Sequence, residues 1–297
     1  TAPSWCHVPC SPTLAVEPCS NLSRVSADVA SMINYPENFF PELLALDIDD
    51  TLTPHLGTVA EPVIEAIHRA RDAGITVVLA TGRSLSTTAP IARAADLDGW
   101  VVCSNGAVLA TVEPETIIKT VTFDPKPVLD QLVELLPNAV YAVEDIHGVF
   151  HTTELFGAGA LGLSIRQVPF EHLLTDPVTR LVVRSQEHRE DGFAHIAQQM
   201  GLHTVVFGIG DVAWMDVGPK GVNKATMLAT LCQRLDLNPA RTMAIGDSWN
   251  DIDMLRWAGF GIAMGSAPES VKAVANAVTD PTPGAGVIVA IDALLAR

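Results

Sequence analysis

Residues 43–51 read Leu43-Leu44-Ala45-Leu46-Asp47-Ile48-Asp49-Asp50-Thr51, an apolar run that ends in acids. A short segment with no polar residue is what a strand buried on both faces requires. Two-residue spacing in extended chain sends Asp47 and Asp49 to one side and Ile48 to the other. Carboxylates so placed repel each other unless a cation sits between them or one stays protonated, and both resolutions serve phosphoryl transfer. Asp also favours turns and helix starts, so a solvated acidic turn would look the same in isolation. The surroundings decide between the two.

Downstream, Pro62 to Ala73 repeats apolar residues at helical spacing and stops at Gly74. Ile75 to Ala80 reads as a second strand, ends in Thr81-Gly82-Arg83, and leads into a helix around Ser86 to Ala95. The rhythm returns late, with a helix from Lys224 to Leu235, a strand Thr242 to Ile245 ending in Gly246-Asp247, a helix through Asp253, and a strand Gly261 to Met264. Apolar strands alternating with amphipathic helices predict an α/β fold whose parallel sheet is covered on both faces. In such sheets ligands gather at the carboxyl ends of the strands.

Between residues 108 and 211 the character changes. Strand candidates lie at Ala139 to Val143, Val149 to Thr152 and Arg180 to Val183, with a helix candidate at Gly192 to Met200. The expected organisation is a core made of residues 39–107 and 212–297, an inserted α/β domain at 108–211, and a loose Ser-, Pro- and Cys-rich extension at 1–38. Because the chain begins with Thr, one expectation is that Met32 is the true start and that a chain beginning there folds and works.

With 297 residues and 48% hydrophobic content the chain can bury a core of two-domain size. Its formal net charge of −16 opposes association with nucleic acid or anionic membranes, and no basic run offsets it, so neither partner is expected. No stretch reaches the roughly 20 apolar residues that span a bilayer, and the start lacks the order of a secretory signal. Of five cysteines, Cys6, Cys10 and Cys19 crowd the start while Cys103 and Cys232 sit singly, so the body reads as reduced and cytoplasmic. No cysteine or histidine pair follows the early three at zinc-finger spacing. Nothing in the sequence, such as a coiled-coil heptad, speaks to oligomeric state.

The second acidic strand end, Gly246-Asp247-Ser248-Trp249-Asn250-Asp251, is what a parallel sheet could bring beside the first. Asp247 and Asp251 would then complete an oxygen-rich site suited to Mg2+, a hard cation that prefers carboxylates and water. Thr81 and the free N–H groups entering the next helix could hold phosphate oxygens, although Thr-Gly-Arg is also an ordinary turn. Lys224 could place a point charge on the same phosphate, with Lys220 as a competitor. His147 and His151 stand at helical spacing, but the residues between them read as strand, which favours an ordinary strand over a metal pair. Trp249 would shape the entrance or pack on the neighbouring helix.

In this order the motifs resemble the haloacid dehalogenase superfamily, and within it the Cof-type phosphatases. Asp47 to Thr51 is similar to the family's first motif, Thr81 to its second, Lys224 in Gly-Val-Asn-Lys to its third, and Gly246 to Asp251 to its fourth. Ser104-Asn105-Gly106-Ala107 and the run from Gly261 through Val278 also resemble Cof-type segments. Asp50 stands where glycine is frequent, Gly265-Ser266 where Asn-Ala is usual, and Ala285 where Asp is common.

The resemblance implies a Rossmann-like core with a cap inserted between the second and third motifs. It implies that Asp47 attacks phosphorus to give an aspartyl-phosphate, and that Asp49 acts as general acid and then as base. Mg2+ would be held by Asp47, the main-chain carbonyl of Asp49, and Asp247, with Asp251 in the inner or outer ligand sphere. Thr81 and Lys224 would bind the transferring group, with Gly82, Arg83 and Asn250 also on the substrate. Glu144, Asp145 and His147 would face the site from the cap. An Asp at position 49, where family members with long-lived phosphoenzymes carry Thr, favours turnover by water or another hydroxyl. The implied activity is hydrolysis of a small phosphate monoester, sugar phosphates among the candidates. Alternatives are sugar phosphomutase or other phosphotransfer, and a catalytically silent binding protein of the same fold.

Overall fold

The apolar run at 43–46 becomes a central strand because it is closed in on both faces: all four side chains are buried. A computed structural model describes residues 33–55, 57–154, 156, 161, 164–186, 203–209 and 212–297. The helix expected at Gly192 to Met200, the cluster Cys6, Cys10 and Cys19, and Met32 lie outside them.

The first part of the chain contributes β1 (Leu43–Leu46), β2 (Thr76–Ala80), β3 (Trp100–Cys103), β4 (Val108–Thr111) and β5 (Thr116–Thr120). A second group follows: β6 (Val140–Glu144), β7 (Phe150–Thr152), β8 (Ile165–Gln167), β9 (Arg180–Ser185), β10 (His203–Ile209) and β11 (Val212–Gly218). The chain then supplies β12 (Thr242–Gly246), β13 (Phe260–Ala263) and β14 (Ala277–Val278). The helices are α1 (Glu61–Asp72), α2 (Leu85–Ala94), α3 (Lys126–Leu135), α4 (Lys224–Leu235), α5 (Ile252–Trp257), α6 (Glu269–Lys272) and α7 (Ala285–Leu295).

Two sheets result. The larger has the order β14-β13-β12-β1-β2-β3-β4-β5, parallel from β14 to β3. Strand alternation splits its core: Leu44, Leu46, Val77 and Leu79 pack with α1 and α7, while Leu43, Ala45, Val78 and Ala80 pack with α4 and α5. The parallel arrangement brings the carboxyl ends of β1, β2, β3 and β12 to one edge, where Asp47, Thr81, Ser104 and Asp247 follow. The smaller sheet has the order β10-β11-β9-β6-β7-β8 and buries one face under α3 through Val128, Leu129 and Leu132. No helix among the described residues is long and apolar enough to cross a membrane.

Sheet pairing divides the chain differently from composition. Residues 108–120 form a hairpin that extends the larger sheet, because β4 pairs antiparallel with β3 through a short connection. At the other end, β11 stays with the smaller sheet as far as Gly218. The passages between sheets therefore fall after residues 120 and 218, instead of at 108 and 212. Hydrogen-bonded partners, which composition does not report, set those limits.

Residues 33–38, expected in a loose extension, pack onto the larger sheet. Ile33 and Tyr35 are buried, and the Tyr35 hydroxyl donates to the Ala290 carbonyl at 2.7 Å. Tyr35 also lies 4.8 Å from Phe260 between ring centroids. Tyr35→Ala is expected to cost about 3 kcal/mol in urea unfolding, the usual loss for a buried aromatic; a cost within experimental error would show that these residues do not belong to the core.

Candidate active site

Asp47 is the first residue past β1, and its N–H donates to Ile245 O at 3.0 Å, so the parallel pairing with β12 continues one step. The chain then turns back. Leu52 and Thr53 donate their N–H groups to Ile48 O, and Asp50 N–H donates to Thr53 O. Asp50 adopts φ of 57°, the left-handed conformation that Asp tolerates better than most residues and glycine adopts freely. That turn brings the Thr51 hydroxyl onto Asp247 Oδ1 at 2.8 Å.

Asp47, Asp247 and Asp251 converge, each offering one oxygen within 4.8 Å of the others. Two features of β12's end make this possible. Gly246 leaves room for Asp251, since a Cβ there would lie 2.4 Å from Asp251 Cγ. The N–H groups of Asp247 and Ser248 both donate to Asp251 Oδ2 at 3.0 Å, fixing its carboxylate.

Lys224 enters from the first turn of α4, whose start is secured by a capping box between Asn223 and Thr226. Its ammonium is fully buried and donates to Asp47 Oδ1 at 2.6 Å and Asp251 Oδ1 at 2.7 Å. Lys220, the competitor by sequence, is exposed. Burial opposes the Lys224 charge, but Asp251 and Asp47 outweigh it and hold the pKa above its ordinary value. Burial pushes the Asp47 carboxyl up, with Lys224 opposing and Asp251 and Asp247 adding to the rise. Asp247 is pushed up to about 7 by burial and by Asp251.

With all three carboxylates ionised, one ammonium would leave two negative charges in this largely buried site. An all-oxygen donor set with that imbalance fits a hard divalent cation. Asp47, Asp247 and Asp251 are the side chains that would hold it.

The Asp49 carboxylate stands outside this trio. Arg83 grips it with a two-pronged pair, Nε to Oδ2 at 2.7 Å and Nη2 to Oδ1 at 2.5 Å, and His55 Nδ1 lies 3.2 Å from Oδ1. Burial alone would raise the Asp49 pKa, yet Arg83 and His55 hold it below the ordinary carboxylate value. Thr81 is buried at the end of β2; its hydroxyl accepts from Arg83 N–H at 3.1 Å and its N–H donates to Val102 O. Asn250 reaches Asn105, donating Nδ2 to Oδ1 at 3.0 Å. Trp249 is exposed.

From the smaller sheet, Glu144 is buried and accepts from the Ser104 hydroxyl at 2.9 Å. Asp145 is taken up by its own turn, accepting from the His147 and Val149 N–H groups and lying 2.9 Å from His151 Nε2. His151 thus meets a carboxylate of its own hairpin. Sequence reasoning passed over Thr51, His55, Arg180 and Asp216. Thr51 alone carried a signal, as the hydroxyl closing the first acidic run.

A family model for haloacid dehalogenase-like hydrolases matches residues 44–291. The chain belongs to this family. A pyridoxal phosphate phosphatase of Escherichia coli is 28% identical over 264 residues, covering 80% of this chain and 92% of that protein. A phosphoglycolate phosphatase of Archaeoglobus fulgidus is 27% identical over 256 residues, covering 86% and 98%. A solved phosphatase of the superfamily from Bacteroides thetaiotaomicron superposes with a TM-score of 0.73 at 25% identity, over 90% of this chain and all of that one. The chain is thus a haloacid dehalogenase-superfamily phosphatase, of the Cof type that its ordered motifs resemble.

The Arg83 grip makes a signed prediction. A carboxylate held below its unfolded pKa contributes stability at neutral pH that is lost as pH falls through the folded value. Arg83→Met should therefore be less stable than the native chain at neutral pH, with the difference in urea midpoint shrinking toward about pH 3. A pH-independent difference would show that the pair carries no charge coupling.

Proposed function

We propose that the chain hydrolyses small phosphate monoesters, sugar phosphates among them, through an aspartyl-phosphate on Asp47. The observation that supports this most is the convergence of Asp47, Asp247 and Asp251 around the Lys224 ammonium at the carboxyl edge of a parallel sheet. The two relatives named above act on small phosphate esters, which is the substrate class proposed here.

In this reading an Asp47 oxygen attacks phosphorus while the P–O bond to the leaving group breaks, and Asp49, protonated once Arg83 turns from it to the substrate and burial prevails, delivers the proton the leaving oxygen needs. Water then attacks the phosphorus of the aspartyl-phosphate, giving its proton to Asp49, and the Asp47 carboxylate is restored. Thr81 and Lys224 offer a hydroxyl and a charge to the transferring group, with Gly82 and Asn250 beside it. Arg83, which holds Asp49 in the resting structure, has an anionic partner to turn to when substrate enters. Asp47, Asp247 and Asp251, with the main-chain carbonyl of Asp49, would hold Mg2+, which would supply charge neutralisation at the phosphoryl oxygens. The smaller sheet with α3 serves as the cap that excludes water and selects the leaving group.

Phosphate release from sugar phosphates, pyridoxal phosphate and phosphoglycolate tests the reading. The native chain should release phosphate with Mg2+ and lose release with chelator, and Asp47→Asn should fall at least about a thousandfold in kcat. Release that survives either chelation or the Asp47→Asn change would sink the mechanism.

A further inference from the structure

Ser104-Asn105, which resembles Cof-type sequence, and the buried acids of the smaller sheet take no part in the chemistry above. They meet at one arginine. Arg180 opens β9 directly opposite Glu144 on β6, with Nε 3.2 Å from Glu144 Oε2. Its Nη1 lies 3.3 Å from Asp216 Oδ2 on β11, and the same Nη1 donates to the Gly82 carbonyl at 2.5 Å. Gly82 lies between Thr81, beside the proposed phosphoryl site, and Arg83, which holds Asp49.

The contacts close a ring. Asp216 Oδ2 accepts from Asn105 Nδ2 at 3.2 Å, and Asn105 N–H donates to Thr81 O at 3.1 Å. Thr81 and Gly82 are thus fixed by consecutive carbonyls, one tied to Asn105 and the other to Arg180. Asn105 holds a φ of 53°, and its amide packs so close that a Cβ on Gly82 would lie 3.0 Å from Oδ1. Through Asn250 the same amide reaches the fourth motif.

Burial makes the ring selective. Arg180 is 9% exposed, and burial raises the pKa of both Glu144 and Asp216, so two acids compete for one guanidinium. Buried ion pairs are held by geometry, and losing one partner strands the other. The guanidinium is a rigid planar fork whose Nη1 donates to Gly82 and Asp216 while its Nε side faces Glu144, whereas a lysine ammonium is a compact point charge on a flexible stem.

We infer that Arg180 is a positioning residue: it ties the seating of the smaller sheet to the backbone of the Thr81-Gly82-Arg83 loop, so that the loop is set for phosphoryl transfer only when the two sheets are engaged. The kinetic half of this inference rests on the phosphatase reading. The structural half does not.

Arg180→Lys keeps the charge that Glu144 and Asp216 need, and is compared with Arg184→Lys, a change on the same strand at an arginine lying over the Phe156 ring. Hydrogen exchange on the ligand-free chain should rise at residues 81–84 and 104–106 in Arg180→Lys and stay native in Arg184→Lys. Once the active fraction is counted, kcat should fall at least tenfold and vanadate inhibition weaken tenfold, with KM within twofold. Native exchange in the 81–84 loop would overturn the inference, as would a kcat loss matched by the loss of folded protein. If the native chain releases no phosphate from any substrate, the phosphatase reading fails and exchange alone decides the coupling.

Discussion

A fully buried ammonium between two buried carboxylates is the constraint around which this molecule is arranged. Taking Lys224 out of water costs several kcal/mol unless partners stand at bonding distance, and Asp47 and Asp251 do so at 2.6 and 2.7 Å. Those partners come from β1 and from the turn after β12, so the pairing fixes where α4 begins relative to both strands. Gly106 has a related duty: a Cβ there would lie 2.1 Å from Asn223 O, and its φ of 97° suits glycine alone. The site therefore rests on close backbone approach as much as on charge.

The same arithmetic gives the site its purpose. One cation among three acids gives a donor set that fits a metal, and in the proposed mechanism that metal would let a chain of net charge −16 accept an anionic substrate. In the proposed mechanism the Thr81 hydroxyl and the Lys224 ammonium are the donors that meet the charge developing on the phosphoryl group. The smaller sheet is tied to this edge through Ser104, Asn105 and Gly82.

The larger sheet was legible because its signals are local. The apolar run at 43–46, the periodicity of 62–73 and the helix at Lys224 to Leu235 depend on spacing alone, and the last was read with the limits the structure shows. Asp247 beside Asp47 was legible because parallel strands must bring their carboxyl ends together. Other features depend on partners distant in sequence. Nothing near Lys224 announces that it is buried, and nothing near Arg83 announces that it holds Asp49, 34 residues away. Arg180 looked like the polar first residue of a strand, since Gly82, Glu144 and Asp216, which it contacts, lie on separate segments. Tyr35 was lost in a stretch of turn-forming composition, its partners lying more than 200 residues downstream.

The central claim is that Asp47 becomes phosphorylated during turnover, and borohydride trapping tests it most directly. Borohydride reduces an acyl phosphate to an alcohol, so reaction quenched during turnover and mapped by peptide mass spectrometry should show homoserine at position 47. The change should appear only when substrate and Mg2+ are both present. Steady turnover with residue 47 unmodified, or with the modification on Asp49, Asp247 or Asp251, would contradict the account.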